Sequence, residues 1–167
     1  LPELEDKSIT VRNFHRYEKI KEMAWNNPVK YESGFFHVVV VGRLAHEKAV
    51  DRAIRAVAYA AKKTIPVVLH IVGDGKMLPQ LKQTAKLLKI QKQTVFYGEQ
   101  KNPYRFMVNA DLLLITSYHE AAPMVIDEAY VLGIPVLTVE TTSSREMVIE
   151  RACGWVCDNS QKGINEA

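Results

Sequence analysis

The chain has 167 residues, of which 47% are hydrophobic and 25% charged, which is the balance of one globular domain and not of a disordered segment. Lys and Arg number 22 against 19 Asp and Glu, so a net charge of +3 does not by itself indicate a nucleic-acid partner, and we expect none. No apolar run approaches the ~20 residues that span a bilayer, and no signal segment opens the chain. Because the first residue is Leu1, we expect a piece of a longer protein. Two cysteines, Cys153 and Cys157, favour a reducing compartment and hence a cytoplasmic location.

Short β-branched runs recur along the chain and are almost continuously apolar. Strands with such runs are buried on both faces, which is typical of a parallel sheet. The predicted strands are residues 37–41, 67–72, 94–97, 112–115 and 135–139, with a weaker one at 155–157.

The segments between the strands have helical periodicity. Val50, Ala53, Ile54, Val57 and Ala61 form one apolar stripe. The other predicted helices are residues 17–25, 78–88, 103–110, 123–132 and 144–150, the last with Ser144 as its N-cap. Residues 1–7 are predicted to be extended. After residue 157 the chain turns polar, and we expect a final helix to be cut off or to follow in the parent protein. Repeated strand–helix units predict an α/β fold, a doubly wound parallel sheet with helices on both faces.

Ligands of such sheets bind beyond the carboxyl ends of the strands, so the loops there are the candidate site. After the first strand, Gly42 permits a tight exit, and Arg43 and Lys48 place two cations beside the start of a helix. Such a pair indicates a phosphate or diphosphate clamp. Solvated surface charges, one of them paired with Glu47, explain the loop equally well.

The next two loops carry weaker signals. In Gly73-Asp74-Gly75 the glycines let the backbone approach a ligand, and Asp74 could cap the following helix, although a plain turn has the same composition. Residues 98–103 suit contact with a base or a sugar edge. Neither loop matches the common dinucleotide or Walker A patterns.

The fourth loop carries two carboxylates eight residues apart. Glu120 lies in the loop, and Glu128 lies just inside the helix that begins at Pro123. Because helical side chains lean toward the N-terminus, both carboxylates can face one cleft, with unpaired backbone amides between them. Acceptors beside amide donors suit a ligand with both hydroxyls and phosphates, such as a nucleotide sugar. A helix start with favourably placed acids is the alternative.

These elements together resemble the C-terminal, donor-binding half of GT-B glycosyltransferases, in the retaining group known as glycosyltransferase family 4. The resemblance extends from about residue 11 to residue 157. The matching segments are Asn13 and residues 38–54, 69–75, 95–104, 110–140 and 145–147.

The resemblance implies a role for each site residue. Arg43 and Lys48 match the cations that bind the donor diphosphate, beside Gly42 and Gly73. Glu128 matches the carboxylate that binds the ribose hydroxyls, and Glu120, the candidate catalytic residue, matches the one that faces the transferred sugar. The amides of Met124 and Val125 match donors to the phosphate and sugar. The two cations would replace a divalent metal, so we expect no metal and no cofactor besides the nucleotide diphosphate sugar, which is the donor substrate.

The resemblance also implies that residues 1–167 form the donor domain of a longer enzyme, with an N-terminal acceptor domain absent from this chain. The parent would move a sugar to a glycan, lipid-linked or similar acceptor, and any membrane contact would come through the parent. Ala121, Ala122 and Ala49 depart from the family, which commonly has Gly, an aromatic residue and Gly there. A non-catalytic nucleotide-sugar-binding or scaffold module with the same fold is the alternative function. We expect the isolated chain to be inactive in transfer.

Overall fold

A computed structural model describes residues 16–167, so the expectations for residues 1–7 and Asn13 lie outside the described residues. Six strands form one sheet in which every pairing is parallel, in the order β3-β2-β1-β4-β5-β6. The strands are β1 (Phe36–Val41), β2 (Val67–Val72), β3 (Thr94–Gly98), β4 (Leu112–Ile115), β5 (Val136–Val139) and β6 (Gly154–Cys157). The doubly wound α/β fold is therefore confirmed.

The predicted helices are present with small changes of boundary. They are α1 (Tyr17–Trp25), α2 (Val50–Lys62), α3 (Leu78–Leu87), α4 (Tyr104–Met107) and α5 (Met124–Leu132). A further short helix, α6 (Gln161–Glu166), lies within this chain, where none is predicted. Helix α4 is shorter than residues 103–110. Gly133 closes α5 with φ +72°, as a left-handed C-cap does.

Residues 144–150 were predicted to form an ordinary helix with Ser144 as the N-cap, and both details are wrong. The segment Arg145–Ile149 is a π-helical turn. Ser144 is buried and already helical in its backbone, and its hydroxyl bonds the backbone N–H and C=O of Thr141 instead of the helix. Local periodicity does not distinguish a π-turn from an α-helix over so short a segment.

Each face of the sheet packs against its own group of helices. Val38, Val40, Leu69 and Ile71 form one core with α2, α3 and α6. Alternate residues such as Val39 point to the other face, where α4, α5 and the π-helical turn form a second core. Helix α1 packs against α4 and α5. Burial on both faces is the physical reason why the strands lack polar alternation.

The strand order reverses direction between β1 and β4. β1 pairs with β2 on one side and with β4 on the other, and the chain reaches β4 only after completing β2 and β3. Loops that leave these two strands therefore diverge and open a crevice at the carboxyl edge of the sheet.

Candidate functional site

A cavity of about 270 Å³ lies in this crevice, between the loop after β1 and the loop after β4. Arg43, Lys48, Glu120 and Glu128 all line it, although up to 85 residues separate them in sequence. Gly42 and the first residues of α5, Met124 and Val125, complete the wall. The structure thus brings together every predicted donor-binding residue except Gly73, which is not among the lining residues.

Gly73 supports the site through the backbone of Gly42. A Cβ on Gly73 would lie 1.9 Å from the Gly42 carbonyl oxygen, and its φ of +146° also favours glycine. The Gly42 amide donates to the Val72 carbonyl over 3.0 Å. These contacts fix the direction in which the chain leaves β1, and hence the position of the Arg43 backbone.

The two cations of this loop have different partners. Lys48 Nζ donates to Glu120 Oε1 over 2.6 Å, and the side chains are only 31% and 11% exposed. Arg43 pairs with Glu47 over 2.9 Å, but these side chains are 73% and 46% exposed, so water screens the pair. A hydrogen bond from its own backbone amide, and then Arg43, lower the pKa of Glu47.

Glu120 is held by the loop that carries it as well as by Lys48. The buried Ser117 hydroxyl donates to Glu120 Oε1 over 2.7 Å. Two donors on one oxygen orient the carboxylate within its loop. Ser117 was missed from the sequence, because a serine after a strand has many possible roles.

The start of helix α5 lines the cavity. Pro123 precedes it with φ −71° and ψ 110°, and no side chain caps the first turn. The amides of Met124 and Val125 therefore belong to the group that a helix leaves without intrahelical partners. Positive charge at this end of the helix dipole suits an anion.

Glu128, on the same helix, is bound by a residue that sequence reasoning did not single out. The Tyr104 hydroxyl, at the start of α4, donates to Glu128 Oε1 over 3.1 Å. Burial, followed by the charge of Glu128, raises the pKa of Tyr104 to about 12, so the phenol keeps the proton that it donates. Tyr104 thereby orients Glu128 along the cavity wall.

The two weaker loops do not contribute side chains to the cavity. Asp74 accepts a hydrogen bond from the Gly75 amide over 2.6 Å, whereas α3 begins after Met77 without a side-chain cap, so the predicted cap is wrong. Gln100 and Asn102 donate to backbone carbonyls of Tyr97 and Met23.

The departures from the family pattern have different structural consequences. Ala49 has φ +46°, a left-handed conformation that costs an alanine roughly 1–2 kcal/mol. Ala121 is absent from the positive-φ residues of the described chain. The substitution of alanine for glycine is therefore strained at position 49, which the sequence suggested to be the milder change.

A second cavity, of about 530 Å³, adjoins the first and shares Arg43, Lys48 and Glu120 with it. Its other wall comes from Tyr118 and from the loop after β5, including Glu140 and Thr141. The Lys48–Glu120 pair thus stands between two open spaces.

Within residues 16–167 no three His, Cys, Asp or Glu side chains are grouped so that they could hold a metal ion. Over the same residues, no helix combines the length and the apolar character needed to cross a membrane.

Comparison with known proteins gives one family and many relatives. The family model described as "Glycosyl transferases group 1" matches residues 24–167. An uncharacterized glycosyltransferase of Methanocaldococcus jannaschii is 28% identical over 151 residues, which are 87% of this chain and 37% of the relative. The lipopolysaccharide glucosyltransferase WaaG of Escherichia coli is 32% identical over 129 residues, 75% of this chain and 34% of its own length.

Solved structures agree with the fold. The crystal structure of WaaG matches with a TM-score of 0.70 at 27% identity, over 92% of this chain and 41% of that one. HepE of Anabaena in complex with UDP-glucose matches with a TM-score of 0.71 at 26% identity, over 80% of this chain and 38% of that one. The chain therefore spans about two fifths of the length of these GT-B proteins.

Proposed function

Since the chain belongs to the glycosyl transferases group 1 family, we propose that it binds the nucleotide diphosphate sugar donor of a sugar-transfer reaction. The observation that carries the proposal is the cavity between β1 and β4, where two cations, two carboxylates and the start of α5 face one space. The complex of HepE with UDP-glucose supports this class of ligand.

Arg43, Lys48 and the α5 amides would bind the diphosphate. A diphosphate carries several negative charges, and charge-assisted hydrogen bonds from Lys and Arg are among the stronger ones in proteins. In a transfer reaction the same groups would stabilise the leaving diphosphate as its charge develops. We therefore propose that no divalent metal is required, and we expect binding to persist in EDTA.

The two carboxylates would divide the rest of the donor between them. Glu128, oriented by Tyr104, would accept hydrogen bonds from the ribose hydroxyls. Glu120, held by Lys48 and Ser117, would accept one from a hydroxyl of the sugar. Lys48 would then contact both the diphosphate and the carboxylate that orients the sugar.

The chain spans only 34% to 41% of the length of the relatives described above. What the whole protein does is therefore also a proposal. An N-terminal domain would supply the site that binds the acceptor. The acceptor would be a glycan or a lipid-linked molecule, as the similarity to the lipopolysaccharide glucosyltransferase WaaG suggests. The acceptor would attack the face that the diphosphate leaves, with retention. The two free cysteines support a cytoplasmic location.

Calorimetric titration of the chain with UDP and with UDP-glucose tests the proposal. Glu128→Gln should weaken both ligands by about tenfold, and Glu120→Gln should weaken UDP-glucose alone, because only that ligand carries the sugar. Glu140→Gln is the matched control, since Glu140 pairs with Arg145 and lies outside the first cavity. Equal losses for both ligands in both site variants would contradict the assignment, and binding without transfer in the parent protein would favour the non-catalytic module.

A further inference from the structure

Arg52 is a charged side chain buried where helical periodicity predicts exposure. At about 100° per residue it lies roughly 200° around α2 from Val50, on the side opposite the apolar stripe. The residue is nevertheless only 4% exposed. Its burial therefore comes from loops that cover the start of α2 and not from the core beneath the helix.

The guanidinium of Arg52 binds those loops. Nη1 donates to the Thr116 carbonyl over 3.0 Å and to Asn159 Oδ1 over 2.7 Å, and the guanidinium carbon lies 5.2 Å from the centre of the Tyr118 ring. Within residues 16–167 no ion pair includes Arg52, and its Nη2 has no hydrogen-bond partner. Burying an arginine without a counterion is costly, so these loop contacts must offset a desolvation penalty.

Asn159 extends the contact to one further loop, the one that follows β5. Its amide nitrogen donates to the carbonyls of Tyr118 over 3.3 Å and Glu140 over 3.1 Å. Arg52 and Asn159 together therefore join the loops that follow β4, β5 and β6.

Tyr118 is fixed on several sides by these contacts. Its amide donates to the Glu47 carbonyl over 2.9 Å, and its carbonyl accepts from Asn159. Its ring contacts the Arg52 guanidinium, and the centre of the His46 ring is 5.5 Å away. Tyr118 is two residues before Glu120. Any freedom of Tyr118 would pass directly to that carboxylate.

We propose that Arg52 is a positioning residue, which fixes the loop between β4 and α5 so that Glu120 faces the sugar of the donor. The part that concerns the sugar rests on the proposed function. The part that concerns the loop does not, because it is a property of the ligand-free protein.

Hydrogen exchange of single amides tests the loop. Arg52→Met keeps the length of the side chain and removes its donors. It should speed exchange of the Tyr118 amide by about tenfold relative to the wild type, while the Leu44 amide, which donates to Asp74, exchanges as before. Arg55→Met is the matched control on an exposed position of the same helix, and it should change neither amide.

Asn159→Ala keeps the test decisive if Arg52→Met folds poorly. Asn159 is exposed, so its replacement should leave the fold intact and still free the Tyr118 carbonyl. Exchange of the Tyr118 amide should then rise, but by less than in Arg52→Met. Uniform acceleration across both amides, or equal effects from Arg55→Met, would overturn the positioning role.

Titration with UDP and UDP-glucose then separates the two proposals. Arg52→Met should lower the affinity ratio of UDP-glucose to UDP about fivefold and change UDP affinity little, and Arg52→Lys should recover part of that ratio. If the wild type binds neither ligand, the proposed function fails. The exchange data would still show whether Arg52 fixes the loop between β4 and α5. An unchanged ratio in a variant with a loosened loop would overturn the effect on the sugar.

Discussion

The loops that follow β1 to β3 and those that follow β4 to β6 lie at one edge of the same sheet but are fixed in different ways. In the first half, β1 to β3, backbone bonds join the loops: Leu44 N–H to Asp74 C=O at 2.8 Å and Gly73 N–H to Gly98 C=O at 2.8 Å. In the second half, β4 to β6, one backbone bond, from Glu140 N–H to Cys157 C=O at 2.8 Å, is accompanied by side-chain bonds from Arg52 and Asn159. Glycines should therefore be most critical for holding the first set of loops together, whereas ordinary side chains should be critical in the second.

The two halves also differ in their buried polar groups. His37, His70 and Tyr97, on β1, β2 and β3, form a chain of hydrogen bonds that ends at the Glu32 carbonyl. Because a carbonyl only accepts, His37 Nε2 carries a proton. When both imidazoles are neutral, His70 Nε2 then donates to His37 Nδ1, and the Tyr97 hydroxyl donates to His70 Nδ1.

The largest expected effect is at Gly73. Gly73→Ala should lower the free energy of unfolding by more than about 3 kcal/mol, since the new Cβ would meet the Gly42 carbonyl and the φ of +146° disfavours alanine. Gly98→Ala is the control, because its φ is +69° but no atom lies within 4 Å of its Cβ, and it should cost only about 1 kcal/mol. Urea unfolding measures both. Similar losses of unfolding free energy in the two variants would show that the close approach of Gly73 to the Gly42 carbonyl does not hold these turns in place.

Acid should loosen the first half before the second. Burial, followed by the proximity of His37, lowers the pKa of His70 to about 4 from 6.5, so the unfolded chain binds more protons between these values. Stability from this group is complete above pH 6.5 and falls by up to about 3 kcal/mol as the pH approaches 4.

Amide exchange of β1 to β3 and of β4 to β6, followed from pH 7 to pH 4, checks this order of opening. His70→Leu should flatten the pH dependence of the unfolding free energy in that window, and the exposed His119→Gln should leave it unchanged. Equal acceleration of all six strands would contradict the difference between the halves.

The Lys48–Glu120 pair links the two halves and should contribute moderately. Lys48→Met should cost about 1–2 kcal/mol, since it leaves a largely buried carboxylate without its cation. Arg43→Met, on the same loop, should cost less than about 0.5 kcal/mol, because its pair with Glu47 is exposed. Urea unfolding of both, with Glu120→Gln and the double variant, gives the coupling energy. No coupling between Lys48 and Glu120 would mean that this contact does not tie the halves together.

The smallest expected effect compares one polar side chain from each half. Ser144→Ala should cost about 1 kcal/mol, because the buried hydroxyl makes both of its bonds to Thr141. Asp74→Ala should cost less than about 0.5 kcal/mol, because the backbone bond from Leu44 to Asp74 remains. Thermal unfolding at one pH resolves this difference. A larger loss for Asp74→Ala would reverse the comparison.

The sequence by itself determined the elements and where ligands could bind. Continuous apolar runs predict strands buried on both faces, and the stripe from Val50 to Ala61 predicts α2, because these patterns are local and repeat with the period of the backbone. The loops that hold Arg43, Lys48, Glu120 and Glu128 followed from their places after strands and from a family resemblance. The matching family model covers residues 24–167, but the role of each residue stays a prediction.

Only the tertiary structure decided which side chains meet. Periodicity placed Arg52 on the exposed side of α2, yet loops from distant parts of the chain bury it. The same applies to Lys48 with Glu120 and to Tyr104 with Glu128, whose contacts join residues 72 and 24 positions apart. Strain likewise falls on Ala49 and not on Ala121, because the path of each loop sets its dihedral angles. Such contacts depend on how separate elements pack, and no local pattern encodes that packing.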